Sequence, residues 1–463
     1  MLIVRIAERM EAKPRQMSSL SVLLPRHGAK LMAGVAACLL AVFVLTDVSL
    51  AEEPQAMPPA AAAAPAPKSD APAPATAAPA AEAPTPAAAT LKFPIYYLGK
   101  AYDEPPPLSY AEPIITDKGI QGARLSMTEA NQSGAFVGRA FNLVEAIVPK
   151  NGDVVAKAKE ILAKGDALIV ADLEAADLLA VADLPEAKNS IIMNIRSSDE
   201  VLRQEQCRTN VFHVIPDWAM RADALAQYLI WKKWPKWLVL RGDTPADKDF
   251  VAQIQRSAKR YGGKIVEERV YAFPPGARNL DSGHQQIQAQ MPEATQSAPD
   301  YDVLWAADTA EAFGDYLPFR TYTPRPVGGT QGLQALAWDP SYTEYGAMSF
   351  QNALRKLAKR APTERDYTGW LGVRVLADAA MRSGKTTVPE FREFLLSDGF
   401  NLEGFKGLAL NFRDWDHQMR QPILLGGGTR TVVSKSPQEG FLHETNLTDT
   451  LGYDKPETKC KFK

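Results

Sequence analysis

The sequence has few cysteines, few histidines and almost no net charge. Its 463 residues include 3 cysteines, 5 histidines, 52 basic and 54 acidic residues, which give a formal net charge of −2. A chain so close to neutral has no basic field that would hold nucleic acid or an anionic lipid surface. The histidines show no paired spacing typical of metal ligands. We therefore expect neither a nucleic-acid partner nor a metal site.

Catalytic sequence motifs are also lacking. The chain has no nucleophile elbow, no metal-binding motif and no glycine-rich dinucleotide loop. We therefore predict that the protein is not an enzyme and requires no cofactor of its own.

The apolar run of residues 31–45 is short for a membrane span, which needs roughly twenty apolar residues. Arg26, His27 and Lys30 precede it, and Ser49 and Ala51 are small residues where a signal peptidase would cleave. We predict a signal peptide over residues 1–51 and a periplasmic protein in a Gram-negative cell. An alternative is a lipoprotein box over residues 35–38, which would leave Cys38 lipidated.

Residues 52–90 are mostly alanine and proline, and this composition predicts an extended, disordered tether. The remaining chain of about 370 residues is long enough for two domains. After removal of the signal peptide, Cys207 and Cys460 are the two remaining cysteines in an oxidising compartment. They are predicted to form a disulfide, with two free thiols as the alternative.

From residue 91 onward, short aliphatic strands alternate with amphipathic helices. Asp117 is predicted to cap the first helix, and Pro245 to begin a later helix that ends at Gly262. Residues 326–329 are expected to form a loop. The pattern predicts one lobe from residues 91–215 with about 340–400, a second from 216–339 with about 401–440, and a C-terminal tail at 441–463.

The order of these elements resembles the type I periplasmic binding proteins of ABC importers, especially the branched-chain amino acid-binding branch. The resemblance extends over residues 91–455 and depends on the order of segments 119–123, 167–171, 262–266 and 412–416, with a crossover near Pro216. It implies an α/β fold of two doubly wound, Rossmann-like lobes with a hinge. It also implies a monomer that closes over a small ligand and presents it to an ABC permease.

Segments 412–422, 436–443 and 449–452 are similar to a subgroup associated with PQQ-dependent alcohol dehydrogenase systems. This narrower resemblance implies the quinone PQQ as a bound ligand. PQQ is flat and carries three carboxylates, so its site would need arginine or lysine side chains to pair with them and an aromatic ring to stack on the flat rings. The acidic loop at residues 172–177 would repel the carboxylate of a free amino acid.

Ligands of open α/β sheets bind outside the carboxyl ends of the strands, so residues at those ends are candidates for ligand binding. The candidates are Lys100, Tyr102, Arg196, Ser197, Arg241, Trp305 and Asp308. The resemblance adds Gln331, which lies in a loop where the family commonly places another ligand contact. The sequence thus predicts a receptor that captures PQQ for an ABC transporter linked to PQQ-dependent alcohol oxidation. One alternative is a factor that delivers the cofactor to a periplasmic PQQ dehydrogenase. The other is a receptor for an amino acid or amide.

Overall fold

The computed structural model describes residues 90–105, 107–108, 112–273, 280–427 and 432–463. The predicted signal peptide and Cys38 lie outside these residues, and so does the predicted tether apart from Thr90. Among the helices of the described residues, none combines the length and the apolar character needed to span a membrane.

Helices and strands alternate through most of the described chain. The α-helices are α1 (Ile120–Gly134), α2 (Val154–Leu162), α3 (Ala175–Ala182), α4 (Trp218–Trp231), α5 (Pro245–Tyr261), α6 (Asp281–Thr295), α7 (Leu317–Arg320), α8 (Ala347–Ala358), α9 (Glu364–Arg382) and α10 (Val388–Leu395). The strands are β1 (Leu91–Lys100), β2 (Arg139–Val148), β3 (Leu168–Asp172), β4 (Ile191–Asn194), β5 (Val211–His213), β6 (Lys236–Arg241), β7 (Lys264–Val270), β8 (Val303–Ala307), β9 (Val327–Gly329), β10 (Leu333–Leu336), β11 (Leu402–Glu403), β12 (Ala409–Phe412), β13 (Met419–Arg420), β14 (Ile423–Gly426) and β15 (Val432–Ser436).

Two sheets repeat one strand order. The first sheet is entirely parallel, in the order β2-β1-β3-β4-β5. The second has the order β15-β14-β10-β9-β8-β6-β7, in which β7-β6-β8-β9-β10 is parallel and repeats the order of the first sheet. β14 and β15 extend it as antiparallel strands. The predicted α/β fold of two doubly wound lobes is confirmed.

Both faces of each sheet are covered by helices, as parallel sheets require. In the first lobe, Ile95 and Val170 pack in a core with α1, α8, α9 and α10, whereas Leu98 and Ile169 face a second core with α2 and α3. In the second lobe, one core includes α4 and α5, and the opposite core includes α6 and α7. Alternate residues of a strand therefore point into different cores.

The short sheet of β11, β12 and β13 belongs with the first lobe. Leu402, Leu410 and Phe412 lie in the same core as Ile95. The sequence assigned residues from about 401 onward to the second lobe, and only β14 and β15 join that lobe's sheet.

Helix ends follow the predicted signals in most places. Thr244 and Asp247 form a capping box at the start of α5, and Gly262 ends that helix in a left-handed conformation. Asp117 does not cap α1, because the residue before that helix is Gly119 and no side chain caps it. Asp117 is instead paired with Arg360, with Nε to Oδ1 at 2.9 Å.

The C-terminal tail connects the two lobes. Tyr261 of the second lobe donates a hydrogen bond from its hydroxyl to the carbonyl of Thr450, at 2.6 Å. Farther along the tail, Cys460 forms a disulfide with Cys207 of the first lobe, with the two Cα atoms 5.7 Å apart. These are the two cysteines that the sequence paired. The tail thus adds a covalent link between the chain terminus and the first lobe.

Candidate functional site

A cavity of about 730 Å³ lies between the two lobes, where the carboxyl ends of their parallel strands meet. The first lobe contributes the segments after β3 and β4 and the first turn of α9. The second contributes the segments after β8 and β9 and the first turns of α4 and α5. This is the location at which open α/β sheets bind ligands.

Arg196 enters the cavity from a turn directly after β4. The side-chain oxygen of Asn194 accepts hydrogen bonds from the backbone N–H groups of Arg196 and Ser197, at 3.1 and 2.9 Å, and so fixes the turn. The Arg196 guanidinium lies over the ring of Tyr102, with Cζ 4.5 Å from the centroid, and contacts Asp172 at 3.3 Å. A ring face and a carboxylate therefore orient this cation before any ligand arrives.

Two further cations stand beside Arg196. Lys118 precedes α1 and Arg365 lies in the first turn of α9, and both line the cavity. Both contact the carboxylate of Glu104, which Lys118 approaches at 2.5 Å. Burial alone would raise the pKa of Glu104, but Arg365 and Lys118 outweigh burial and lower that pKa to about 2. Glu104 is therefore ionised at neutral pH.

The second lobe supplies an apolar wall with unused hydrogen-bond donors. Trp218 and Phe250 pack together, with ring centroids 4.9 Å apart, and Trp305 is fully buried beside them. Arg221 donates to the carbonyl of Ala335 at 2.7 Å. Within the described part of the chain, Arg221 Nε and Trp305 Nε1 are buried without a hydrogen-bond partner. Buried donors of this kind normally meet a partner, so a ligand acceptor would satisfy them.

The acidic loop after β3 is less repulsive than its sequence suggests. Asp177 is paired with Lys100 at 3.0 Å and also accepts a hydrogen bond from Tyr102 at 2.6 Å. Ala175 and Ala176, at the start of α3, line the cavity. Helix geometry leaves their backbone N–H groups without an intrahelical acceptor. The loop therefore repels the carboxylate of an amino acid less than its acidic sequence suggests.

The structure brings together five of the eight predicted ligand-binding residues. Those that line the cavity are Arg196, Ser197, Trp305, Asp308 and Gln331. Lys100, Tyr102 and Arg241 are not among its lining residues. Lys100 and Tyr102 are bonded to Asp177, as described above, and Tyr102 supports the Arg196 guanidinium. Arg241 lies at the end of β6, and its guanidinium is paired with Glu268 of β7 at 2.7 Å, outside the cavity lining.

Asp308 and Gln331 shape the loop after β8. The Asp308 carboxylate accepts hydrogen bonds from the backbone N–H groups of Ala312, Phe313 and Gly314, at 2.9, 2.7 and 2.6 Å. Gln331 donates to the backbone carbonyl of Asp308 at 3.1 Å. Burial raises the pKa of Asp308. Because these polar groups already have protein partners, we assign both residues a supporting role in the cavity wall.

Sequence reasoning missed the cavity residues that come from helices. Arg221, Glu364 and Arg365 lie in the first turns of α4 and α9, far along the chain from Arg196. A local signal exists for Glu364 and Arg365, because Thr363 and Asp366 form a capping box that marks the start of α9.

In the part of the chain that the structure describes, no group of three or more histidine, cysteine or carboxylate side chains could hold a metal ion. The cavity instead combines cations, carboxylates and aromatic surface, which suits a small organic ligand with both charged and apolar parts.

Comparisons with known proteins agree with this architecture. The family model described as "Periplasmic binding protein" matches residues 110–429. No curated protein sequence matches the chain significantly.

Solved structures with the same fold share little sequence identity with the chain. A branched-chain amino acid ABC transporter ligand-binding protein from Burkholderia xenovorans superimposes with a TM-score of 0.61 and 12% identity, covering 80% of this chain and 99% of that one. An ABC transporter solute-binding protein from R. palustris in complex with benzoate superimposes with a TM-score of 0.55 and 14% identity, covering 81% of this chain and 100% of that one. An ABC transporter substrate-binding protein from Desulfitobacterium hafniense in complex with Leu superimposes with a TM-score of 0.54 and 17% identity, covering 75% of this chain and 99% of that one. The chain belongs to the periplasmic binding protein family, whose members are non-enzymatic ligand receptors.

Proposed function

We propose that this protein captures a small ligand with a carboxylate and an apolar part, most simply an apolar amino acid, and presents it to an ABC permease. The observation that supports this most directly is the two-sided cavity. The first lobe contributes Arg196 and Arg365, and the second contributes the aromatic wall of Trp218 and Phe250. A ligand that touches both walls favours the closed arrangement of the lobes, since closure adds contacts that the open form lacks.

The charge balance of the cavity favours a zwitterion over a polyanion. Four cations and five carboxylates line it, namely Lys118, Arg196, Arg221, Arg365, Glu174, Asp199, Asp308, Glu311 and Glu364. PQQ would bring three carboxylates into this nearly balanced lining, and the acidic side chains would oppose them. An amino acid brings one carboxylate and one ammonium group, which the same lining can satisfy together.

Glu174 is a candidate partner for a ligand ammonium group. Its side chain is 59% exposed and its nearest cation, Arg196, is 3.9 Å away. It directly precedes α3, whose first backbone N–H groups can donate hydrogen bonds to a ligand carboxylate. One end of the cavity therefore offers an acceptor for an ammonium group next to donors for a carboxylate. The leucine complex and the amino acid-binding names among the similar structures support the same class of ligand.

Titration calorimetry of the purified protein with leucine, benzoate and PQQ tests this proposal. We expect saturable binding of leucine or another apolar amino acid and no saturable heat with PQQ. Binding of PQQ without any amino acid would reverse the assignment and favour the PQQ receptor or the cofactor-delivery factor. Binding of benzoate without any amino acid would mean that the cavity recognises a carboxylate and that Glu174 does not bind a ligand ammonium group.

A further inference from the structure

One carboxylate of the protein already occupies the first lobe's cationic cluster. The first lobe contributes three cations to the cavity lining, Lys118, Arg196 and Arg365. All three contact Glu104: Lys118 lies 2.5 Å and Arg196 3.5 Å from its carboxylate oxygens, and Arg365 is paired with it as well. The fourth cation of the lining, Arg221, is paired with Glu364 instead.

Glu104 lies beside the cavity and not in its lining. It follows β1 in a proline-rich segment, and it lines a neighbouring cavity of about 740 Å³. The two cavities share Lys118, Glu311 and Gln334 among their lining residues. The Glu104 carboxylate is therefore positioned between two spaces, and its cationic partners are accessible from the main cavity.

Two carboxylates pair with the cationic cluster, and Glu104 is the less constrained of the two. Asp172 also pairs with Arg196, at 3.3 Å, but it is held by a hydrogen bond from Tyr97 at 2.8 Å and is nearly buried. The Glu104 side chain is 29% exposed and has only the cations as partners among the contacts of the described residues. Of the two carboxylates, Glu104 is the one that an incoming anion can replace.

We propose that Glu104 is an internal competitor for the ligand carboxylate. In the free protein it pairs with Lys118, Arg196 and Arg365, and on binding the ligand carboxylate takes over these contacts. The inference rests on the proposed function. It makes Glu104 a determinant of specificity, because a ligand carboxylate can replace the ion pairs that the three cations lose with Glu104, whereas a neutral group cannot.

Calorimetric titration of two variants with leucine and with leucinamide tests the competition. Glu104→Gln removes the competing charge and keeps the side-chain size, and Asp103→Asn changes the neighbouring residue. Asp103 is a suitable control because its side chain is 80% exposed and paired with Lys150, outside the cavity lining. We expect Glu104→Gln to bind leucine at least about tenfold more tightly, since a like charge near the site is removed. We expect Asp103→Asn to match the wild type.

Leucinamide separates competition from a change in folding or cavity shape. It lacks the carboxylate and keeps the ammonium group, so Glu104→Gln should leave its affinity unchanged or lower it, while leucine binding tightens. Glu104→Asp, which retains the charge, should remain close to the wild type for leucine. Equal gains for both probes, or weaker leucine binding by Glu104→Gln, would overturn the competition while leaving the receptor function intact. Failure of every variant and of the wild type to bind any carboxylate would overturn the proposed function itself.

Discussion

Arg221 and Glu364 form an ion pair between the two lobes, with Nη2 and Oε1 3.0 Å apart. Arg221 lies in α4, which packs on the second sheet, and Glu364 begins α9, which packs on the first. Both residues line the cavity, and their side chains are only 9% and 22% exposed. The ion pair therefore couples the relative placement of the lobes to the wall of the binding site.

Glu364→Gln should lower the free energy of unfolding by about 1–3 kcal/mol, because it leaves Arg221 with a largely buried charge and no ionic partner. The change would be measured by urea denaturation. Asp414→Asn is the matched control, since Asp414 and its partner Lys455 are 59% and 62% exposed. Loss of such an exposed pair should change stability by less than about 1 kcal/mol. Equal effects of the two substitutions would contradict a structural role for the interlobe pair.

Arg196→Lys should weaken binding of a carboxylate ligand by about tenfold or more. Lysine retains the charge but loses the planar fork, which contacts Asp172 and stacks on Tyr102. The affinity would be measured by calorimetry with the best ligand of the panel.

Arg241→Lys provides the comparison for Arg196→Lys. Arg241 also follows a strand and is paired with a carboxylate, Glu268, but it does not line the cavity. Its substitution should leave the affinity unchanged. Similar losses for both variants would indicate that the arginines act through stability, and a loss for Arg241→Lys alone would restore the original sequence prediction for that residue.

The disulfide between Cys207 and Cys460 closes a loop with a sequence separation of 253 residues. Replacing both cysteines by serine should lower the free energy of unfolding by about 2–5 kcal/mol, because the unfolded chain regains loop entropy. Denaturation in urea, without reductant, would measure the difference from the wild type. Under reducing conditions the wild type and the variant should coincide within about 1 kcal/mol, and a difference that persists there would point to lost packing instead.

Much of the fold could be predicted from the sequence because local signals and tertiary packing agree. The strand β6 and the helix α5 have clear signals: an unbroken apolar centre in one, and Pro245 with Gly262 at the ends of the other. Val327–Gly329 looked like a loop, but it forms β9 because β8 and β10 flank it. Gly329 in this strand has a φ of 122°, and a Cβ atom there would meet the backbone of Ala306 in β8. Glycine therefore allows the close approach of the two strands.

The candidate site was only partly predictable, for a physical reason. Arg196 was found because it directly follows a buried strand, and the end of a parallel strand marks the ligand-binding edge. Arg365 was missed because α9 reaches that edge only through its packing against α1 and the first sheet. Arg241 was predicted from the same strand rule and excluded by its partner on β7, a long-range pairing that no local pattern encodes.

His417 should make the fold sensitive to mild acid. It is buried between the rings of Phe212 and Phe462, and its Nδ1 donates to the carbonyl of Val211 at 3.1 Å. Burial lowers the pKa of His417 from 6.5 to about 4. Below about pH 6.5 the unfolded chain therefore binds a proton that the folded chain does not, so stability falls as the pH falls toward 4. Between pH 7 and pH 5, the His417 imidazole should lower the free energy of unfolding by about 2 kcal/mol.

His417→Asn tests this contribution, because asparagine tolerates the φ of 54° at this position and does not titrate. The neighbouring Asp416 acts in the opposite direction: burial raises its pKa to about 6, and its protonation favours the folded state as the pH falls from 6 toward 3.8. Asp416 is present in both proteins, so the difference between them isolates the histidine. Urea denaturation should show the variant less stable at pH 7, from lost packing, with the gap reduced by about 2 kcal/mol at pH 5. A gap that is the same at both pH values would mean that the His417 pKa in the folded protein is close to its ordinary value.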